Sequence, residues 1–66
     1  SGDIPIITVS LLNEMEKMAE SLADIQLYET DSIVALGAIA KYQENATAVQ
    51  TAMQNLVSYL DKKLNG

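Results

Sequence analysis

The sequence predicts an all-α protein, an antiparallel helical hairpin with coiled-coil-like packing. Three observations carry that prediction. Residues 35 to 60 hold an unbroken apolar seam of Ala35, Ile39, Tyr42, Ala46, Val49, Met53, Leu56 and Leu60, at alternating steps of four and three. That is the roughly 3.5-residue period of a helix packed lengthwise on another helix. A shorter seam of Leu11, Met15, Met18, Leu22 and Ile25 precedes it. Between them Glu29-Thr30-Asp31-Ser32 breaks the pattern with four polar residues.

Ser1-Gly2 reads as the remnant of a cleaved tag. Residues 3 to 8 read as a non-helical lead-in, because Pro5 biases Ile4 towards extended geometry. Thr8 or Ser10 is of the type that caps a helix start. The first helix is expected over about 9–28, with Leu12 and Ala19 widening its apolar stripe. Glu14 and Glu16 fall in early turns, where the helix dipole favours acidic groups. Thr30, Asp31 and Ser32 compete with helical backbone and cap the next helix. They predict a reversal there, with a continuous bent helix as the alternative.

The second helix is expected over about 32–64. Gly37 lies inside it, at about 1 kcal/mol relative to Ala, and a small residue there suits close approach of the first helix. A break at Asn45 would give a three-helix bundle, the structural alternative. Lys62 and Lys63 suit the dipole of the last turn, and Asn65-Gly66 suit its end. Residues 1–66 form a single small helical domain.

The helix lengths set up an interface. A helix of 9–28 spans roughly 30 Å and one of 32–64 roughly 50 Å. The first therefore covers the second only to about residue 52. Met53, Leu56, Val57, Tyr59, Leu60 and Leu64 overhang as the candidate protein interface, unless Ile4, Ile6 and Ile7 fold back over part of it. An apolar stripe of that length is unusual on a monomer.

Composition excludes several classes. Nine acidic residues face four lysines and no arginine, a net charge of -5. A phosphate-binding surface needs clustered cations, and Lys62-Lys63 is the only adjacent pair, so nucleic acid is not an expected partner. No apolar run approaches the ~18–20 residues that span a bilayer. Ile4-Pro5-Ile6-Ile7 lacks a basic flank and a cleavage site, so it is no signal peptide.

The residues for catalysis are missing. There is no His and no Cys, which removes the usual general base, the thiolate and the usual zinc site. The glycines are Gly2, Gly37 and Gly66, too scattered for a phosphate-cradling loop. Glu16, Glu20 and Asp24 align at i, i+4 and i+8 and could suggest a hard-cation site. Calcium wants six to eight oxygens from a loop-like arrangement, so a solvated acidic face is the expected reading. No catalytic, cofactor or metal residue is expected. Met15, Met18 and Met53 read as core, or as an adaptable surface. Of Tyr28, Tyr42 and Tyr59, the last is the preferred interface anchor.

The stretch Tyr42-Gln43-Glu44-Asn45-Ala46-Thr47-Ala48-Val49-Gln50-Thr51 resembles the C-terminal helix of bacterial flagellar rod and hook (axial) proteins. Those helices often read Tyr-Gln-x-Asn-x-x-Ala, then an aliphatic residue and a Thr. Needle and inner-rod subunits of type III secretion systems are similar in size, hairpin pattern and long final helix. The resemblance implies that residues 42–60 form a polymerising helix. The Ala/Asn-rich N-terminal signature of axial proteins is absent, and Glu29 to Ser32 replaces the Pro-containing loop of needle subunits.

The expected function is that of a non-enzymatic structural or protein-interaction subunit. It self-associates or docks through its long C-terminal helix, in a bacterial secretion or flagellar-type assembly by the resemblance. The alternative is a small cytosolic adaptor or chaperone that binds a helical client. The partner is then protein, itself or another helix, with a homo-oligomer expected. The expected location is the cytoplasm, or a cell-envelope assembly reached without a Sec-type signal.

Overall fold

A computed structural model describes the backbone of residues 3–27 and 30–66, and the side chains of residues 6–26 and 30–66. Two helices, α1 (Asp3–Leu27) and α2 (Ser32–Asn65), pack as a hairpin. The amide of Asn45 meets Lys17 and Ser21, while Ile7 shares a groove with Ala52 and Asn55. Later residues of α2 therefore lie beside earlier residues of α1, so the pair is antiparallel. The sequence reading of Tyr28 and Glu29, of the remnant at 1–2 and of the Ile4 side chain lies outside the described residues.

The reversal is made by the capping residues. Asp31 is extended, at φ -114 and ψ 102. Its carboxylate accepts from the Val34 N–H at 3.2 Å, and its carbonyl accepts from the Ala35 N–H at 2.8 Å. One otherwise orphaned N–H of the new helix is thereby satisfied. At the far end the Gly66 N–H donates to the Lys62 carbonyl at 3.0 Å, and Lys62 and Lys63 stand in the last turn.

Two expectations are corrected, and one alternative is removed. The lead-in at 3–8 is helical, since α1 begins at Asp3. Pro5 is tolerated because it falls in the first turn, where its missing N–H has no intrahelical acceptor. Thr8 and Ser10 are then interior residues, and the added turns are held by packing, since Ile7 is half-buried beside α2. The second correction is a consequence of the first. Running the antiparallel register outward from Asn45 places Asp3 level with about residue 60 at ~1.5 Å per residue. The overhang is thus much shorter than the 12 or so residues expected. As for the alternative, α2 runs through Asn45 without a break, so the chain is no three-helix bundle.

Gly37 does not serve close approach either. A Cβ built there meets nothing within 4 Å.

The hairpin is one layer of helix, 51 × 16 × 11 Å, and the shortest dimension is one helix diameter. Its radius of gyration is 15.4 Å, against about 11 Å for a compact chain of this length. Among the described residues Val49, at 8% exposure, is the only buried apolar residue. Ordinary domains place a core between two packed layers. This chain supplies one.

Candidate protein-interaction surface

The residues that join the two helices mix large apolar side chains with alanines and a few polar groups. On α1 the half-buried or buried row is Ile7, Leu11, Glu14, Met18, Ser21 and Ile25. On α2 it is Ala35, Ala38, Tyr42, Asn45, Val49, Ala52, Leu56 and Tyr59, with Ala46 and Ala48 half-buried on the two flanks. Both rows step by fours and threes, as two helices packed lengthwise require.

A polar clasp sits in the middle of this seam. Ser21 is 3% exposed and Asn45 9%. The Ser21 hydroxyl donates to the Lys17 carbonyl at 2.7 Å. Asn45 Nδ2 donates to Ser21 Oγ at 2.7 Å and to the Lys17 carbonyl at 3.2 Å. Moving either helix by one turn would bury the Asn45 amide without these partners, at about 1–3 kcal/mol, while Ser21 would keep its bond to the Lys17 carbonyl. A buried polar residue in a helix seam is a known means of fixing register.

The flanks of the seam differ. Lys17 and Asp24 each stand one position before a seam residue of α1, and Lys41 and Ala48 do the same on α2. Met15 and Leu22 each come one position after a seam residue of α1. Ile39, Ala46, Met53 and Leu60 do so on α2. Antiparallel helices are related by a half-turn about an axis normal to their common plane. Like flanks therefore fall on the same side. One open groove confirms it, lined from both helices by Glu14, Lys17, Glu20, Asp24, Lys41 and Glu44. This is the rear face, where Lys17 Nζ and Glu14 Oε1 pair at 3.5 Å.

The front face carries no charge and is largely apolar, with Gln26, Gln43 and Gln50 on the same flank. Met15, Leu22, Leu12 and Met53 are 45%, 47%, 56% and 52% exposed, and Ile39 and Leu60 join them among the exposed large apolar side chains. Leu36, Val57 and Leu64 border it on α2 and are also exposed. Between residues 8 and 26 of α1 and 32 and 60 of α2, every Asp, Glu and Lys occupies a position off this face.

The expected interface residues divide accordingly. Met53, Val57, Leu60 and Leu64 are exposed. Leu56 and Tyr59 are half-buried and belong to the seam with α1, a correction that comes from the longer first helix. The Tyr59 hydroxyl is buried with no hydrogen-bond partner among the described residues, and Lys63 Nζ stands 5.7 Å from the centre of its ring. The α1 half of the face, Leu12, Met15 and Leu22, lies outside the expected interface. Their signal was in the sequence, because both apolar stripes are wider than one seam needs.

Among the described residues no group of three His, Cys, Asp or Glu is placed to share a metal ion. Glu20 and Asp24 line the rear groove with two lysines, and Glu16 lies outside it. No helix among them is long and apolar enough to cross a membrane. Comparison with known proteins finds no matching family, no matching curated protein and no matching solved structure.

Proposed function

We propose that this protein is a non-enzymatic interaction subunit, which self-associates or docks through the front face that α2 shares with α1. One observation carries the reading. The hairpin leaves Met15, Leu22, Ile39, Met53 and Leu60 exposed along one face that carries no charge. Covering such a face stabilises by about 25 cal/mol per Å² of apolar surface buried. Exposed apolar faces of this extent mark interaction sites.

The resemblance of residues 42–51 to axial-protein helices supports an assembly subunit of the secretion or flagellar type. In this hairpin Tyr42, Asn45 and Val49 are covered, and Ile39, Met53 and Leu60 are left exposed. The alternative, an adaptor holding a helical client, uses the same face.

A dye that fluoresces on apolar surfaces tests the reading. Dilute protein should bind it. The double variant Met15→Lys/Met53→Lys should lose that binding while its helical circular dichroism persists. A wild-type protein that binds no dye at any dilution and no protein partner contradicts the proposal.

A further inference from the structure

We infer that the occupant of the front face is a second copy of this chain, packed face to face about a two-fold axis as a four-helix bundle. The inference rests on the reading of that face as a docking surface, and adds what docks there.

Area is the first argument. The chain exposes 5021 Å², whereas a compact protein of its mass exposes about 4,100 Å². The excess is roughly 900 Å². Two separate hairpins expose about 10,000 Å², and a compact protein of the combined mass about 6,800 Å². Closing that gap buries roughly 3,200 Å², within the range of permanent homodimers.

Shape is the second. A two-helix layer needs a second layer to enclose a core. A single client helix laid along the front would be one helix wide. It would leave the outer borders, Leu12 on one helix and Val57 on the other, in water. A second hairpin is two helices wide and covers both borders.

Charge is the third. An isologous interface sets the same patch against itself, so any charge on it meets its like. This chain carries a net -5 and can pack on itself only through a face clear of acidic groups. The front is such a face, and the rear groove with Glu14, Glu20, Asp24 and Glu44 then points outward on both sides. Nothing on the front provides the charge complementarity that steers a foreign charged partner.

The experiment is light scattering coupled to size exclusion on the whole chain, across a roughly hundredfold range of concentration, with the apolar dye measured on the same fractions. The expected result is a plateau at twice the chain mass of 7.1 kDa, with dye binding that rises on dilution. Met15→Lys/Met53→Lys should stay at 7.1 kDa, its dimer dissociation constant raised roughly a hundredfold or more by charge forced into an apolar contact. A wild-type monomer at every concentration that still binds dye overturns the second copy and leaves the docking surface standing. A monomer that binds no dye overturns both. Growth of mass without a plateau, or a plateau above the dimer, overturns the closed two-fold pair. The wild-type mass decides even where the variant fails to fold.

Discussion

The front and rear of this hairpin are built from the same two helices and behave as different materials. The rear carries Lys17, Glu20, Asp24, Lys41 and Glu44 around an open groove. The front carries Met15, Leu22, Ile39, Met53 and Leu60 with no charge among them. The seam between the helices is intermediate and holds the only buried polar pair among the described residues, Ser21 and Asn45. The contrast separates a contact within the chain that centres on a polar clasp from a charge-free front that leaves large apolar side chains exposed.

The largest effect should come from charging the front. Met53→Lys alone should weaken self-association by about 2 kcal/mol or more, in the range of interface hot spots, read as a lower dimer fraction at fixed concentration. Next comes the clasp. Asn45→Ala removes the donor to Ser21 and the Lys17 carbonyl and should destabilise the fold by about 1–3 kcal/mol, read from the urea midpoint. If instead Asn45→Ala leaves the midpoint unchanged, the seam is not held by its polar pair.

A third substitution separates helix propensity from packing. Gly37 sits on α2 with open space where a Cβ would go. Gly37→Ala should stabilise by up to about 1 kcal/mol and leave the oligomeric state unchanged, as thermal melts at matched concentrations would show. The smallest effect belongs to the rear. Glu20→Gln should change stability and association by less than about 0.5 kcal/mol, the usual scale for an exposed charge. A large effect there would mean that the rear, too, is an interface.

Much of the fold is legible in the residues. The two heptad seams place both helices, and Thr30-Asp31-Ser32 marks the reversal that Asp31 caps. The start of α1 is not legible, because local rules weigh Pro5 as a breaker while packing of Ile7 against α2 extends the helix through it. The choice of seam is subtler. Residues 35, 42, 49 and 56 belong to the hairpin on either phase. The spacing leaves open whether Ala38 and Asn45 or Ile39 and Ala46 accompany them. Hydrophobicity favours Ile39 and Ala46, and with them Met15 and Leu22 on α1. The structure takes the other phase in both helices at once. What decides it is the pairing of Asn45 with Ser21, 24 residues apart in sequence, because the Asn45 amide would be unpaired if buried without Ser21 and the Lys17 carbonyl. The interface inherited the error, since Leu56 and Tyr59 looked free only while α1 seemed short.

The three methionines sample this arrangement directly, because Met18 lies in the seam and Met15 and Met53 lie on the front. Their labelled methyl groups can be followed by nuclear magnetic resonance on dilution, with a soluble paramagnetic agent reporting access to solvent. The account predicts that the Met15 and Met53 methyls are protected in concentrated protein and become accessible together on dilution, while Met18 keeps one level of access throughout. Met15 and Met53 methyls that stay accessible at every concentration, or a Met18 methyl that opens along with them, would contradict it.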